Sequence, residues 1–423
     1  MFLYVPRGGG SAERIGLSKL YLDRYCVEVK PVDLEAALLA RVLPYLPGKR
    51  LVMGRLGDRG WGQLRLSTLR LKGRCLEDIL FKNPDEPRLP LSPEEKTRFR
   101  RWRIESSDRT ACIVMGRADS LLRAHYLEMD ASLRPGRLRQ LVRKSISDDL
   151  RSRLVLTGDV WPCVGGCERG MAHVPVMVRV GRRPSLYALL EMFGLSFDDP
   201  LSKYLLDRAS LGLEECLCAH RTLCQGLSGH VMHTLFATLA EESPIATVDV
   251  WRVVTSFAGG NTFWSHLRRF GRSAVLVQSC ESDRRHQWAH RSQGFNAIRF
   301  LVGDVSREAA IGGVPEHDLR FAGFPCVKYS SLNRHATRAE LMESLRVFDF
   351  LVDSLRVFAP PVVILENVAG LMCSRLDWVR EHVEEALRGL AGGRYMIFRS
   401  VLCSSEFEST FRRRRVYYVM YLF

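Results

Sequence analysis

With 423 residues, 46% of them apolar and 26% charged, the chain is long enough to hold two or three domains around buried cores, which excludes a polypeptide dominated by disorder. Twelve cysteines lack the spacing of a disulfide framework, no secretory leader is expected, and no apolar run has the length of a membrane span. A reduced, intracellular protein is expected. Lys and Arg number 35 in residues 1–183 against 21 Asp and Glu, but 27 against 26 in 184–423, so the basic surplus sits almost wholly in the first part. That asymmetry fits a polyanion-binding module joined to a balanced core. Arg outnumbers Lys 53 to 9, which suits forked contacts to phosphate and guanine, although codon bias in a GC-rich genome gives the same skew.

Residues 1–183 carry short apolar segments, Arg50 to Met53, Gln63 to Leu71 and Ala111 to Met115, separated by turn formers such as Asn83-Pro84-Asp85-Glu86-Pro87. A small, partly β region with long loops is expected. Arg98-Phe99-Arg100-Arg101-Trp102-Arg103 mixes cations with aromatics, a composition that holds phosphates and stacks on bases, or equally a solvated surface element. Cys163 and Cys167 have no second pair at zinc spacing, so no metal is expected.

From Arg182 the chain turns helical, with Leu186, Leu189, Leu190 and Phe193 at helix spacing and Gly194 as a stop. Gln225 to His233 is a glycine-bearing turn that opens a helix, offering free N–H groups to a ligand or to ordinary capping.

After Pro244, strands and helices alternate. Strands are predicted at Thr247 to Thr255, Ala274 to Val277, Ile298 to Val302, Asp318 to Ala322 and Val362 to Leu365, the signal of a parallel, helix-covered sheet. Two more, Tyr395 to Leu402 and Val416 to Phe423, are joined by a short loop and should pair antiparallel. Each of the first five strands is followed by suggestive residues. Phe257-Ala258-Gly259-Gly260 lets a cofactor approach the backbone. Glu281-Ser282-Asp283 stands where an acidic residue takes ribose hydroxyls. Gly303-Asp304 comes within reach of an adenine amino group. In Gly323-Phe324-Pro325-Cys326 the proline ends the ladder and presents the thiol beyond the strand tip. Glu366-Asn367-Val368 follows the fifth strand.

In this order the loops resemble the cytosine-5 methyltransferase family, which moves a methyl group from S-adenosylmethionine to carbon 5 of cytosine in DNA. Pro325-Cys326-Val327-Lys328-Tyr329-Ser330 is similar to its nucleophile loop, Glu366-Asn367-Val368 to its acidic motif, and Arg413-x-Arg415 to its paired arginines. The resemblance covers 248–423 and implies an α/β fold, a Rossmann-like S-adenosylmethionine-dependent methyltransferase sheet ending in an antiparallel strand pair. Arg182 to Gly194 resembles the helix entry that follows the family's target-recognition domain, and Gly229-His230-Val231-Met232-His233 its closing motif. The implied organisation is a circular permutation: a basic recognition region over 1–183, closing motifs over 184–247, and the catalytic core over 248–423.

The resemblance assigns Cys326 as the nucleophile that attacks carbon 6, with Lys328 and a helical turn favouring the thiolate. Glu366 would hold and protonate ring nitrogen 3, and Arg415 with Arg413 would bind the oxygen on carbon 2. The target base would be flipped out of the duplex. Phe257, Ala258, Gly259, Gly260, Glu281, Ser282, Asp304, Pro325, Gly229 and His230 are implied at the cofactor, and Ser330, Asn367 and Val368 at the substrate. Three positions depart from the family pattern: Asn261 in the cofactor turn, His230 in place of an asparagine, and Phe411 in place of a glutamine. They keep a second reading open, a weakened or inactive nucleic-acid-binding relative, beside a third in which tRNA is the substrate. Arg412 to Arg415 equally fits a nuclear-import patch if the source is eukaryotic.

Overall fold

Continuous apolar runs such as Val362 to Leu365 can be satisfied only by burial on both faces, and between residues 251 and 422 they build one seven-stranded sheet. The computed structural model describes residues 2–5, 19–22, 25–28, 50–53, 65–69, 75–81, 96, 112–113, 154–155, 161, 176–177, 182–294, 301–302, 314–330 and 336–422. The sheet strands are β1 (Trp251–Ser256), β2 (Ala274–Cys280), β3 (Leu301–Val302), β4 (Leu319–Gly323), β5 (Val362–Val368), β6 (Tyr395–Cys403) and β7 (Arg414–Leu422). Their order is β3-β2-β1-β4-β5-β7-β6. β1 to β5 pair in parallel, whereas β7 runs antiparallel to both β5 and β6. This is a Rossmann-like sheet, and its strand order reverses between β1 and β4, the place where open α/β sheets bind ligands.

The first strand starts at Trp251 rather than at Thr247. Ser243 and Pro244 enter a turn in which Ala246 and Val248 donate to Ser243 and Ile245, and the Trp251 indole closes it on the Ile245 carbonyl at 2.9 Å. Of the strand expected over 298–302, only Leu301–Val302 lies within the described residues.

Among the described residues, eight α-helices follow residue 185: α1 (Leu186–Met192), α2 (Pro200–Ser210), α3 (Leu213–Cys224), α4 (Gly229–Glu242), α5 (Thr262–Phe270), α6 (Arg284–Ser292), α7 (Arg338–Phe358) and α8 (Asp377–Arg388). α1 begins because the Ser185 hydroxyl accepts from Ala188 N–H at 3.0 Å, and α7 because Thr337 and Glu340 form a reciprocal capping box. Strand alternation divides the core. Val416, Tyr418 and Met420 of β7 pack with Leu345 and Phe348 of α7 and Val379 of α8, while Tyr417, Val419 and Tyr421 pack with Leu235 of α4 and Phe263 of α5.

In the first part, Arg50–Met53 pairs antiparallel with Phe2–Val5, Lys19–Leu22 with Tyr25–Glu28, and Cys112–Ile113 lies between Leu154–Val155 and Val176–Met177. Residues 65–69, inside the expected segment Gln63 to Leu71, form no strand; the Ser67 N–H and hydroxyl instead dock on Thr238 and Glu241 of α4. Leu76, Leu80, Trp161 and Met177 are buried in the same cluster as α1, α2 and α3. A division at residue 183 therefore cuts through a shared core. Cys163, Cys167, Asp304 and the Arg98 to Arg103 stretch lie outside the described residues. Among the described residues, no helix is long and apolar enough to cross a membrane.

Candidate active site

β1 ends in a turn whose backbone bends three times into the left-handed region, at Phe257 (φ 53°), Gly259 (φ 53°) and Asn261 (φ 56°). Asn is the side-chain-bearing residue that best tolerates this conformation, which explains how Asn261 stands where the family pattern has glycine. A Cβ on Gly259 would meet nothing within 4 Å, so the backbone there borders open space, whereas one on Gly260 would stand 2.6 Å from the Thr222 methyl.

Neighbouring residues tie down the peptide groups of this turn. Ala258 N–H donates to the Cys280 carbonyl at 3.2 Å, and Gly259 N–H to Glu281 Oε2 at 2.7 Å. Glu281 Oε1 accepts from Asp283 N–H at 2.8 Å, so one carboxylate joins the ends of β1 and β2. From α6, Gln293 donates to the Gly260 carbonyl at 2.9 Å, and His290 Nε2 lies 2.7 Å from the Gly259 carbonyl. Burial pushes the His290 pKa down to about 4, so the imidazole is neutral: Nε2 donates to that carbonyl and Nδ1 accepts from the Ser279 hydroxyl at 3.1 Å. Sequence reasoning missed His290 and Gln293, which lie on a polar helix with no motif to single them out. Ser282 is exposed and Phe257 half-buried.

β4 releases the chain at Gly323, and Cys326 opens a turn closed by Tyr329 N–H on its carbonyl at 3.0 Å. Gly323 faces Glu366 across β5, and Val368 faces Arg415 across β7. Glu366 is thus a diagonal neighbour of Arg415 on the same face, and Arg415 Nε donates to its carboxylate at 2.9 Å. A Cβ on Gly323 would stand 3.5 Å from Glu366 Oε2 and 3.7 Å from the Phe257 carbonyl, so the acidic residue and the glycine turn meet at the tip of β4. Arg413 and Arg415 turn inward while Arg414 is exposed, the period-two pattern of a strand.

Cys326, Glu366, Arg413 and Arg415 form one electrostatic cluster. Burial and the Glu366 charge push the half-buried Cys326 thiol up, against the opposing pull of Arg415 and Arg413. The expectation that Lys328 favours the thiolate is corrected, because its ammonium turns to Glu340, the N3 residue of α7, and the two arginines take that role.

Other expected residues are placed differently. Asn367, expected at the substrate, donates its amide to the Phe324 carbonyl at 3.1 Å and accepts from Val368 N–H at 2.8 Å, which holds the cysteine loop from behind. Ser330 and Pro325 are half-buried beside the thiol turn. Gly229 N–H donates to the Phe193 carbonyl at 2.7 Å, and Leu227 N–H to Thr262 Oγ1 at 2.9 Å, which docks the turn before α4 on the start of α5. His230, expected at the cofactor, is buried, and burial, followed by the charges of His266 and Arg269 of α5 and His233 of its own helix, pushes its pKa down to about 3. The link to the glycine turn therefore runs through Leu227 and Thr262. Phe411, the residue in place of glutamine, is fully buried and stacks on Phe193 with centroids 4.6 Å apart, so it serves packing.

Among known proteins, the family model described as C-5 cytosine-specific DNA methylase matches residues 258–422. Type II methyltransferase M.MspI of Moraxella sp is 29% identical over 133 residues, 30% of this chain and 29% of that protein. Type II methyltransferase M.HaeII of Haemophilus aegyptius is 25% identical over 146 residues, 34% of this chain and 44% of that protein. The matches span less than half the length of these two relatives. Among solved structures, S. pombe Dnmt2 methyltransferase is 18% identical, with 41% of this chain and 50% of that chain covered at a TM-score of 0.29. The similarity to C-5 cytosine-specific DNA methylases is carried by residues 258–422.

Proposed function

We propose that this protein transfers a methyl group from S-adenosylmethionine to carbon 5 of a flipped-out cytosine in DNA through a covalent adduct on Cys326. The observation that carries the reading is the convergence of Cys326, Glu366, Arg413 and Arg415 at the ends of β4, β5 and β7, beside a glycine turn that borders open space.

The cofactor fits the residues present. Gly259 leaves room for close approach, and the Glu281 carboxylate, with about four lone-pair sites and two N–H donors on it, retains capacity for a ribose diol. Phe257, Ala258, Gly259, Gly260 and Glu281 would hold S-adenosylmethionine, which supplies an electrophilic methyl group when bound. Asp304 is proposed at its adenine.

Carbon 5 of cytosine is a weak nucleophile until carbon 6 is attacked. The Cys326 sulfur forms a bond to carbon 6, the ring's electron pair moves toward carbon 5, and Glu366 delivers a proton to nitrogen 3 so that no anion accumulates. Arg413 and Arg415 stabilise charge at the oxygen on carbon 2 and lower the cost of ionising the thiol. After methylation, solvent takes the carbon 5 proton, the electron pair left behind re-forms the carbon 5–carbon 6 double bond and expels the Cys326 thiolate, and nitrogen 3 returns its proton to Glu366. The basic surplus in 1–183 supports a DNA-recognition role for that region, placed ahead of the closing segment and core in a permuted order. A filter assay with labelled S-adenosylmethionine tests the reading: label should enter cytosine-containing DNA, and incorporation into tRNA alone would replace DNA as the substrate.

A further inference from the structure

Two residues outside the matched stretch grip the segment that carries the paired arginines. Trp161 N–H donates to the Thr410 carbonyl at 2.6 Å and the Trp161 carbonyl accepts from Arg412 N–H at 2.8 Å, so a bridge from the first part of the chain brackets Phe411. Phe193, at the end of α1, stacks on Phe411 at an interplanar angle of 29°, and its ring also lies under the Arg413 guanidinium, 5.5 Å from centroid to Cζ. Trp161, Phe193 and Phe411 are fully buried, and Arg413 is 4% exposed. The other end of Phe193 is fixed as well, since its carbonyl accepts from Gly229 N–H.

We propose that Phe193 is a positioning residue for Arg413: its ring face fixes the guanidinium at the entry to β7, while the Trp161 bridge fixes the backbone that carries it. The inference rests on the reading of Arg413 as a group that binds the target base. A cation over an aromatic face in a desolvated site is held electrostatically, and an aliphatic side chain of similar size would bury the same surface without that hold. Phe411 in place of glutamine thus changes what the position does, from a polar partner to one layer of the stack that seats Arg413. The methyl-transfer site would then be incomplete without side chains that lie before residue 258.

The test is a double-mutant cycle on the full chain, Phe193→Leu and Arg413→Met alone and together, with 3,4,5-trifluorophenylalanine placed at 193 as a near-isosteric ring whose face no longer attracts a cation. Two readouts are taken: the single-turnover rate of methyl transfer, and the pH profile of Cys326 alkylation by iodoacetamide, followed on the Cys326 peptide by mass spectrometry. Phe193→Leu and the fluorinated ring should each slow transfer about tenfold, leave KM for DNA unchanged, and move the alkylation profile to higher pH. In the Arg413→Met background, neither should add more than about twofold. Additive losses, or an unmoved alkylation profile in the folded fluorinated protein, overturn the proposal. Should the wild-type protein transfer no methyl group to DNA, the functional reading fails, while the alkylation cycle still decides whether Phe193 acts through Arg413.

Discussion

Substituting Glu281 separates two jobs that its carboxylate performs at once. In the structure it accepts Gly259 N–H at 2.7 Å and Asp283 N–H at 2.8 Å, which ties the glycine turn to the end of β2. In the proposed function it also takes the ribose of the cofactor. Glu281→Ala removes both acceptors from a site where the residue is only 8% exposed. Hydrogen bonds to charged groups contribute roughly 1.5–3 kcal/mol each, so losing both should cost the alanine variant about 3–6 kcal/mol of stability and lower its melting point by several degrees or more. Glu281→Gln keeps one acceptor oxygen but turns an amide NH2 toward a second N–H donor, so it should lose less stability. Both variants should bind S-adenosylmethionine about tenfold to a hundredfold more weakly, from the loss of a charged acceptor to the ribose. Calorimetric titration gives the affinity and differential scanning gives the stability. Unchanged cofactor affinity in a folded Glu281→Gln protein would refute the ribose assignment and leave the carboxylate as a loop tie alone.

Cys326→Ser should abolish methyl transfer with DNA affinity nearly unchanged, because an alcohol ionises far less readily than a thiol and adds little to backbone binding; rate and filter-binding assays read the two separately. Replacing Arg98, Arg100, Arg101 and Arg103 by glutamine should weaken DNA binding and lower the salt slope of log K by about 0.9 for each phosphate that is no longer neutralised, so an unchanged slope would remove this stretch from the interface. Stability should also fall on mild acidification. Burial depresses the pKa of His266 and His290 to about 4, so the unfolded chain takes up protons first as pH falls below 6.5, and the stabilisation present above that value is lost down to about 4. Each histidine contributes at most about 3 kcal/mol to this loss, and denaturant midpoints that stay level between pH 7 and 5 would show that these rings are not buried neutral.

The parts of the site that are legible in the sequence follow local rules. Pro325 stops a strand wherever it occurs, alternating arginines on a strand must share a face, and a glycine turn after an apolar run marks the cofactor end of a parallel strand. The remainder depends on partners that only the fold brings together. His290 and Gln293 tie the glycine turn from a helix whose composition carries no motif. Lys328 lies two residues from the thiol in sequence, yet it is claimed by Glu340, because the cap of α7 presents that carboxylate to it. Phe411 reads as a defect against the family pattern until Phe193 is seen stacked on it. The boundary at residue 183 follows the drop in charge, but Trp161 and Met177 share a core with α1 and charge does not report apolar burial.

The covalent chemistry is tested most directly by incubating the protein and S-adenosylmethionine with duplex DNA carrying 5-fluorocytosine. Fluorine replaces the hydrogen that must leave carbon 5 after methylation, so an adduct on Cys326 forms and is not released. The predicted result is a stable protein–DNA species whose digest carries the methylated fluorinated base on the Cys326 peptide, and none in Cys326→Ser. Methyl transfer to ordinary cytosine without any such adduct, or an adduct on a different cysteine, would contradict the account.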